Sequence, residues 1–178
     1  MNDATDPMDR LVRYALAVSR QRGLTADRLA EDIAAAVVPG DADQPAAAFL
    51  ERLAAHFATP GRRLHVTCEP DLRLAASDLA AVGIVAGEAM SNSLTHAFPG
   101  GRDGDIWLRL FEKEGRIRLV VRDNGVGIPD ILGGERSGRG LIDAVAHLLG
   151  GYARLGSAAF GGAEVLLVFA PKAAARAA

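Results

Sequence analysis

In residues 106–112 (IWLRLFE) and 116–123 (RIRLVVRD), aliphatic side chains recur at every second position, Ile106, Leu108 and Leu110 in the first and Ile117, Leu119 and Val121 in the second. A period of two sends successive side chains to opposite faces, so each stretch reads as a strand with one face toward a core. Only Lys113-Glu114-Gly115 separates them, which makes them an antiparallel hairpin. Such a hairpin needs further strands or a helical layer to bury its apolar face, and the flanking sequence supplies both. Residues 63–68 (RLHVTC) alternate as a strand, 69–71 form a turn and 72–74 a second short strand. Ser77 or Asp78 is expected to open a long helix to about Phe98, followed by a loop over 99–105 (PGGRDGD). Residues 124–139, rich in glycine and charge, read as a loop, 140–149 as a helix, and 152–157 with 163–169 as a closing strand pair turning near Phe160-Gly161-Gly162. The expected fold class is α+β, a two-layer sandwich in which a mixed sheet carries at least two helices on one face.

Upstream the periodicity is helical. Residues 7–22 place Leu11, Ala15 and Val18 on one face and end at Gly23. Thr25 or Asp27 can cap a second helix bearing Leu29, Ile33 and Val37. A turn-rich break at 39–45 leads to a third helix over 46–57 with Phe49, Leu50, Leu53 and Phe57 together, closed by Pro60-Gly61. The expected organisation is an N-terminal helical region, 1–58, whose first two helices form a dimerisation hairpin, then a compact domain, 59–172. The 178 residues suit one domain with a helical appendage. A net charge of −2 with dispersed Lys and Arg carries no nucleic-acid footprint. A single cysteine, Cys68, excludes an internal disulfide framework and fits a reducing compartment. No apolar run is long enough to span a bilayer, and no leader pattern opens the chain. These features predict a soluble, cytoplasmic chain with neither membrane nor nucleic acid as partner.

Three segments carry chemistry. Glu88, Asn92 and His96, in 88–98 (EAMSNSLTHAF), recur every four residues and share a helix face. An Asn oxygen suits Mg²⁺, a hard cation that keeps several waters, and a carboxylate one turn away can hold or activate such a water. The same spacing also describes a plain solvated helix face. In 121–129 (VRDNGVGIP), Asp123 ends a strand and can accept from an exocyclic amine such as the N6 of adenine, while Gly125 and Gly127 let backbone approach a flat ring. The alternative, an ordinary Asp-Asn-Gly hairpin turn, is weakened because no strand returns directly. Residues 137–141 (SGRGL) open a helix whose free N–H groups and dipole favour phosphate; Gly138 and Gly140 permit the approach and Arg139 can reach it. Read alone, that segment is equally a flexible loop entering a helix. It is neither a P-loop nor a dinucleotide fingerprint.

The order of these segments resembles the GHKL ATPase family, or Bergerat fold, over about residues 62–170. The resemblance implies ATP and Mg²⁺ as ligands, with Asn92 coordinating the metal, Asp123 binding adenine, Gly125 and Gly127 lining the base pocket, and Gly138, Gly140 and Leu141 forming the second glycine box. It implies Glu88 as the acidic residue that activates water in the hydrolytic branches. Within the family, 88–98 together with GRGLIDAV and LLGG look like histidine kinases of the HWE/HisKA_2 type. The segment 46–66 also resembles what those kinases place before their ATPase domain.

The chain departs from the pattern in three places. The lysine often found three residues after the Asn is Thr95, so His96 or Arg139 is the candidate source of positive charge. A Gly-Thr pair near the last strand is Gly162-Ala163. No histidine precedes His56, and Asp9-Arg10 stands where an acceptor His-Arg is expected. His56, beside Phe57, reads as structural; His65 and His147 have no nucleophile or metal-ligand partner nearby in sequence, and Cys68 reads as strand packing.

The resemblance favours a kinase that phosphorylates a partner in trans, a response regulator or phosphotransfer protein. A second reading is an anti-sigma-factor-type serine kinase whose partners are a sigma factor and an anti-sigma-factor antagonist. A third is a degenerate kinase acting as a receiver-domain adaptor.

Overall fold

The structure is a computed structural model describing residues 43–128, 137–159 and 161–172. The two expected N-terminal helices, residues 129–136 of the expected loop, and the C-terminal tail beyond 172 lie outside the described residues. In chain order the elements are β1 (Gln44–Pro45), α1 (Ala46–Ala55), β2 (Arg62–Cys68), β3 (Arg73–Leu74) and α2 (Ala76–Asn92). A π turn (Ser93–Ala97) and a short 3₁₀ turn (Pro99–Gly101) follow, then β4 (Gly104–Lys113), β5 (Arg116–Asp123), α3 (Ser137–Leu148), β6 (Tyr152–Ser157) and β7 (Ala163–Phe169).

Five strands form one mixed sheet in the order β2-β4-β5-β7-β6, with β2 parallel to β4 and every other pair antiparallel. β1 and β3 form a separate two-stranded ribbon. The alternation in the hairpin works as expected. Ile106, Leu108 and Leu110 of β4 and Ile117, Leu119 and Val121 of β5 are all buried. They share one core with Leu79, Val82 and Val85 of α2, Ile142 and Val145 of α3, and Phe49, Leu50 and Leu53 of α1. The hairpin closes more tightly than the sequence suggested. Lys113 pairs with Arg116, leaving the two-residue turn Glu114-Gly115 with φ of 57° and 69°. Both central residues at positive φ match the right-handed twist of the flanking strands.

Three helix boundaries differ from expectation. Neither Ser77 nor Asp78 caps α2; the helix is entered from Ala75 without a side-chain cap. Asp78 is instead fully buried, and its Oδ2 accepts from the Lys172 backbone N–H at 2.8 Å, fastening the segment after β7 to the first turn of α2. Burial pushes its carboxyl pKa up. α1 stops at Ala55, though Phe57 still packs into the core. α3 starts at Ser137, three residues before the expected position.

On the opposite face of the sheet, one cluster bears on the site. Arg63 grips Asp105 with two bonds of 2.7 Å, and His65 Nε2 lies 2.7 Å from Asp105 Oδ1 while its ring stacks on Trp107. Asp105 exchanges three further bonds with Asn124, whose backbone N–H and side-chain amide donate to it and whose Oδ1 accepts from its N–H. Edge strand β2 is thereby tied to the loop that follows β5. The guanidinium of Arg63, then the hydrogen bonds from His65 and Asn124, hold the Asp105 carboxyl well below the usual carboxylate range.

A carboxyl whose pKa falls on folding stabilises above its unfolded value and loses that contribution as pH falls through the folded value. Asp105→Asn should therefore melt lower than the wild type at neutral pH. The gap should close as pH is taken below about 4. A gap in melting temperature that stays constant with pH contradicts this account.

Candidate functional site

The site is built around the C-terminal end of β5. Asp123, the last residue of that strand, is 1% exposed. Burying a carboxylate is costly unless donors surround it, and three do. Ser93 Oγ donates to Oδ2 at 2.7 Å, while the backbone N–H groups of Gly125 and Ala163 donate to Oδ1 at 2.8 and 3.1 Å. These donors come from the end of α2, from the loop after β5, and from the start of β7. The sheet order makes the last possible, because β7 lies beside β5.

A second link joins the same loop to the helix end: the Val126 N–H donates to the Ala97 carbonyl at 2.9 Å. Local π geometry, Ser93–Ala97, forms this helix end, a feature that commonly marks functional positions. Within it Thr95 Oγ1 donates back to the Ser91 carbonyl at 2.8 Å, a bond that competes with regular α turns.

The glycines have distinct causes. At Gly125 a Cβ would lie 2.3 Å from both the Ala97 carbonyl oxygen and its Cβ, so contact with the helix end demands glycine there whether or not a ligand approaches. Gly162, at φ +85°, would place a Cβ 1.9 Å from the Asp123 carbonyl oxygen. Among the described residues, nothing lies within 4 Å of a Cβ placed at Gly140.

The row read from the sequence runs from core to surface. Glu88 is 5% exposed, Asn92 is half-buried and His96 is exposed. Asn92 precedes Ser93 directly, so the hydrogen bond from Ser93 brings the Asn92 end of α2 to Asp123. Gly138, Arg139 and Gly140 lie in the first turn of α3, where N–H groups lack helical partners. Leu141 and Ile142 anchor that turn in the core shared with α2. Arg139 is largely exposed and sits 3.8 Å from Asp143. Among the described residues no cluster of three or more His, Cys, Asp or Glu could hold a metal ion.

His65 does have a partner, Asp105, forty residues away and on the other face of the sheet. His147 is exposed near the end of α3, and His56 is half-buried at the end of α1. Cys68 is half-buried beside the core, and burial pushes its thiol pKa up. No local pattern in the sequence singles out Ser93, and Gly162-Ala163 stands out there only as a departure from the family pattern. Ser93 is adjacent to Asn92, but its partner lies thirty residues on, and nothing in a local pattern shows that.

The family model described as a histidine kinase-like ATPase domain matches residues 46–149, and the chain belongs to that family. Among curated relatives, the anti-sigma F factor of Geobacillus stearothermophilus is 35% identical over 54 residues, covering 30% of this chain and 37% of the relative. That of Bacillus cytotoxicus is 31% identical over 51 residues, 29% of this chain and 35% of the relative. Each match thus spans little more than a third of the relative's length. Among solved structures, the Erythrobacter litoralis EL346 blue-light activated histidine kinase superposes with a TM-score of 0.69 at 19% identity, covering 96% of this chain and 62% of that one. The ATP binding domain of PrrB from Mycobacterium tuberculosis superposes with a TM-score of 0.53 at 22% identity, covering 75% of this chain and 98% of that one. These likenesses establish the Bergerat fold expected from the motifs.

Gly162→Ala combines a left-handed backbone with a clash against backbone rather than a movable side chain. It should cost about 2 kcal/mol or more of stability. Urea denaturation with an unchanged midpoint would show that Gly162 does not press on Asp123.

Proposed function

We propose that this chain binds Mg-ATP beside Asp123 and acts as a histidine-kinase-like phosphotransferase on a partner protein. The observation that carries the reading is the state of the Asp123 carboxylate. A carboxylate has about four acceptor positions, and three are filled by Ser93, Gly125 and Ala163. The fourth, on Oδ2, fits one N–H of an exocyclic amine. The donor set therefore suits adenine.

The residues expected to meet the triphosphate also suit their tasks. Asn92, half-exposed at the end of α2, offers one oxygen to a magnesium ion whose other ligands would be phosphates and water, which is why no acidic cluster is needed. Glu88, one turn earlier and nearly buried, would accept a proton or orient a water. Free N–H groups of the Gly138–Gly140 turn favour phosphate, with Arg139 or His96 supplying positive charge where Thr95 replaces a lysine. The metal would neutralise charge on the transferring phosphoryl group.

Transfer in trans is supported by Asp9-Arg10 standing where the resemblance expects an acceptor His-Arg. The partner class is then a response regulator or phosphotransfer protein, and GRGLIDAV with LLGG supports the HWE/HisKA_2 type. Of the N-terminal region 1–58, the first two helices would serve for dimerisation, while α1 packs into the core of the ATP-binding domain that continues over 59–172. One observation favours a second reading, serine kinase and partner switch: the similarity to anti-sigma F factors. Its partners would be a sigma factor and an anti-sigma-factor antagonist.

Calorimetric titration tests the pocket. Wild type should bind Mg-ATP, EDTA should weaken binding, and Asp123→Asn should weaken it at least about tenfold, as expected for a hydrogen bond to a charged group. A wild type that binds no Mg-ATP sinks both readings. Radiolabelled phosphate on a partner histidine supports the first reading, and label on a partner serine the second.

A further inference from the structure

The sequence shows an alanine, Ala163, where the resemblance calls for a hydroxyl, and the structure shows a hydroxyl on the same carboxylate from another direction. Ser93 is 7% exposed, and its Oγ lies 2.7 Å from Asp123 Oδ2. Asp123 Oδ1 is already occupied by two backbone N–H groups. These bonds fix which carboxylate oxygen retains a free acceptor position, and they use the Ser93 hydrogen as well. The hydroxyl hydrogen points at the carboxylate, so the lone pairs of Oγ remain. A ligand seated against this carboxylate would meet a pair of neighbouring acceptors, Oδ2 and Oγ.

We propose that Ser93 is a specificity-determining residue of the nucleotide pocket, pairing its Oγ with Asp123 Oδ2 so that the site accepts a 6-amino purine and repels a 6-oxo purine. An amine presents only hydrogens to adjacent acceptors, donating one to Oδ2 with Oγ as a second, bent partner. A carbonyl oxygen in the same place confronts both with another acceptor, and leaving buried polar groups unmatched is where such sites gain discrimination. The alanine at 163 is consistent with this arrangement. It contributes only its backbone N–H, which holds Oδ1 away from the ligand. The inference rests on the ATP reading above.

The test compares ATP with inosine triphosphate, which carries a carbonyl oxygen for the amine at position 6 and a hydrogen on the adjacent N1, in the presence of magnesium; because the N1 change is common to all variants, the change in the ratio reports on residue 93. Dissociation constants are measured for wild type, Ser93→Ala, Ser93→Thr and the near-isosteric Ser93→Cys, with unliganded melting curves as a check on folding. Wild type should prefer ATP. Ser93→Ala and Ser93→Cys should each reduce the ratio of the two constants about three- to tenfold, the range of one neutral hydrogen bond, and Ser93→Thr should preserve it. A purely structural role would weaken both nucleotides by the same factor and leave the ratio unchanged, which overturns the proposal. If Ser93→Ala does not fold, the cysteine variant decides on the same criterion. Wild type binding neither nucleotide overturns the ATP reading itself; wild type binding ATP with an unaltered ratio in the variants overturns only the role of Ser93.

Discussion

One buried carboxylate organises this end of the molecule. Asp123 accepts hydrogen bonds from the end of α2, the loop after β5 and the start of β7. Its worth is larger than three ordinary hydrogen bonds, because each donor would be left unsatisfied without it. Elements far apart in sequence are brought to one point, and the glycines at 125 and 162 mark how closely the backbones approach. Strand order and core packing make the meeting possible. The carboxylate makes it specific.

The same interaction limits what the site can recognise. A carboxylate with three of its acceptor positions filled is nearly spent, and the remaining position has a defined direction. In the proposed reading, recognition and chemistry are also divided between different parts of α2. Its last residues, with the π turn, face Asp123, while Glu88 lies a turn deeper, nearly sealed by the core. A second, independent brace holds the loop from the outer face, where Asp105 receives Arg63, His65 and Asn124. The residue next to Asp123 is thus anchored on one side of the sheet and Asp123 itself on the other.

Much of this was legible in the sequence because it depended on period and order. The alternation of 106–112 and 116–123 revealed the hairpin and its buried face. Asn92, Asp123 and the Gly138–Leu141 segment revealed the family through their succession. What could not be read depended on contacts across the chain. α2 has alanine and glycine on faces that are buried nearly all round, so its start could not be inferred from an amphipathic stripe, and Asp78 looked like a cap when its partner was Lys172. Gly125 looked like room for a ligand, and the structure adds a packing reason in Ala97. Ser93 carried no local signal because hydroxyl groups near a helix end are common, and only the fold reveals the carboxylate it serves.

The most direct test is a map of backbone amide resonances on addition of magnesium and a non-hydrolysable ATP analogue. If the ligand seats against Asp123, the largest shifts should fall on Gly125, Val126, Gly127 and Ala163 and on the first turn of α3, with the outer-face residues Arg109 and Arg118 little changed. Saturable shifts confined to that outer face, or no shifts around Asp123 at millimolar ligand, would contradict the account.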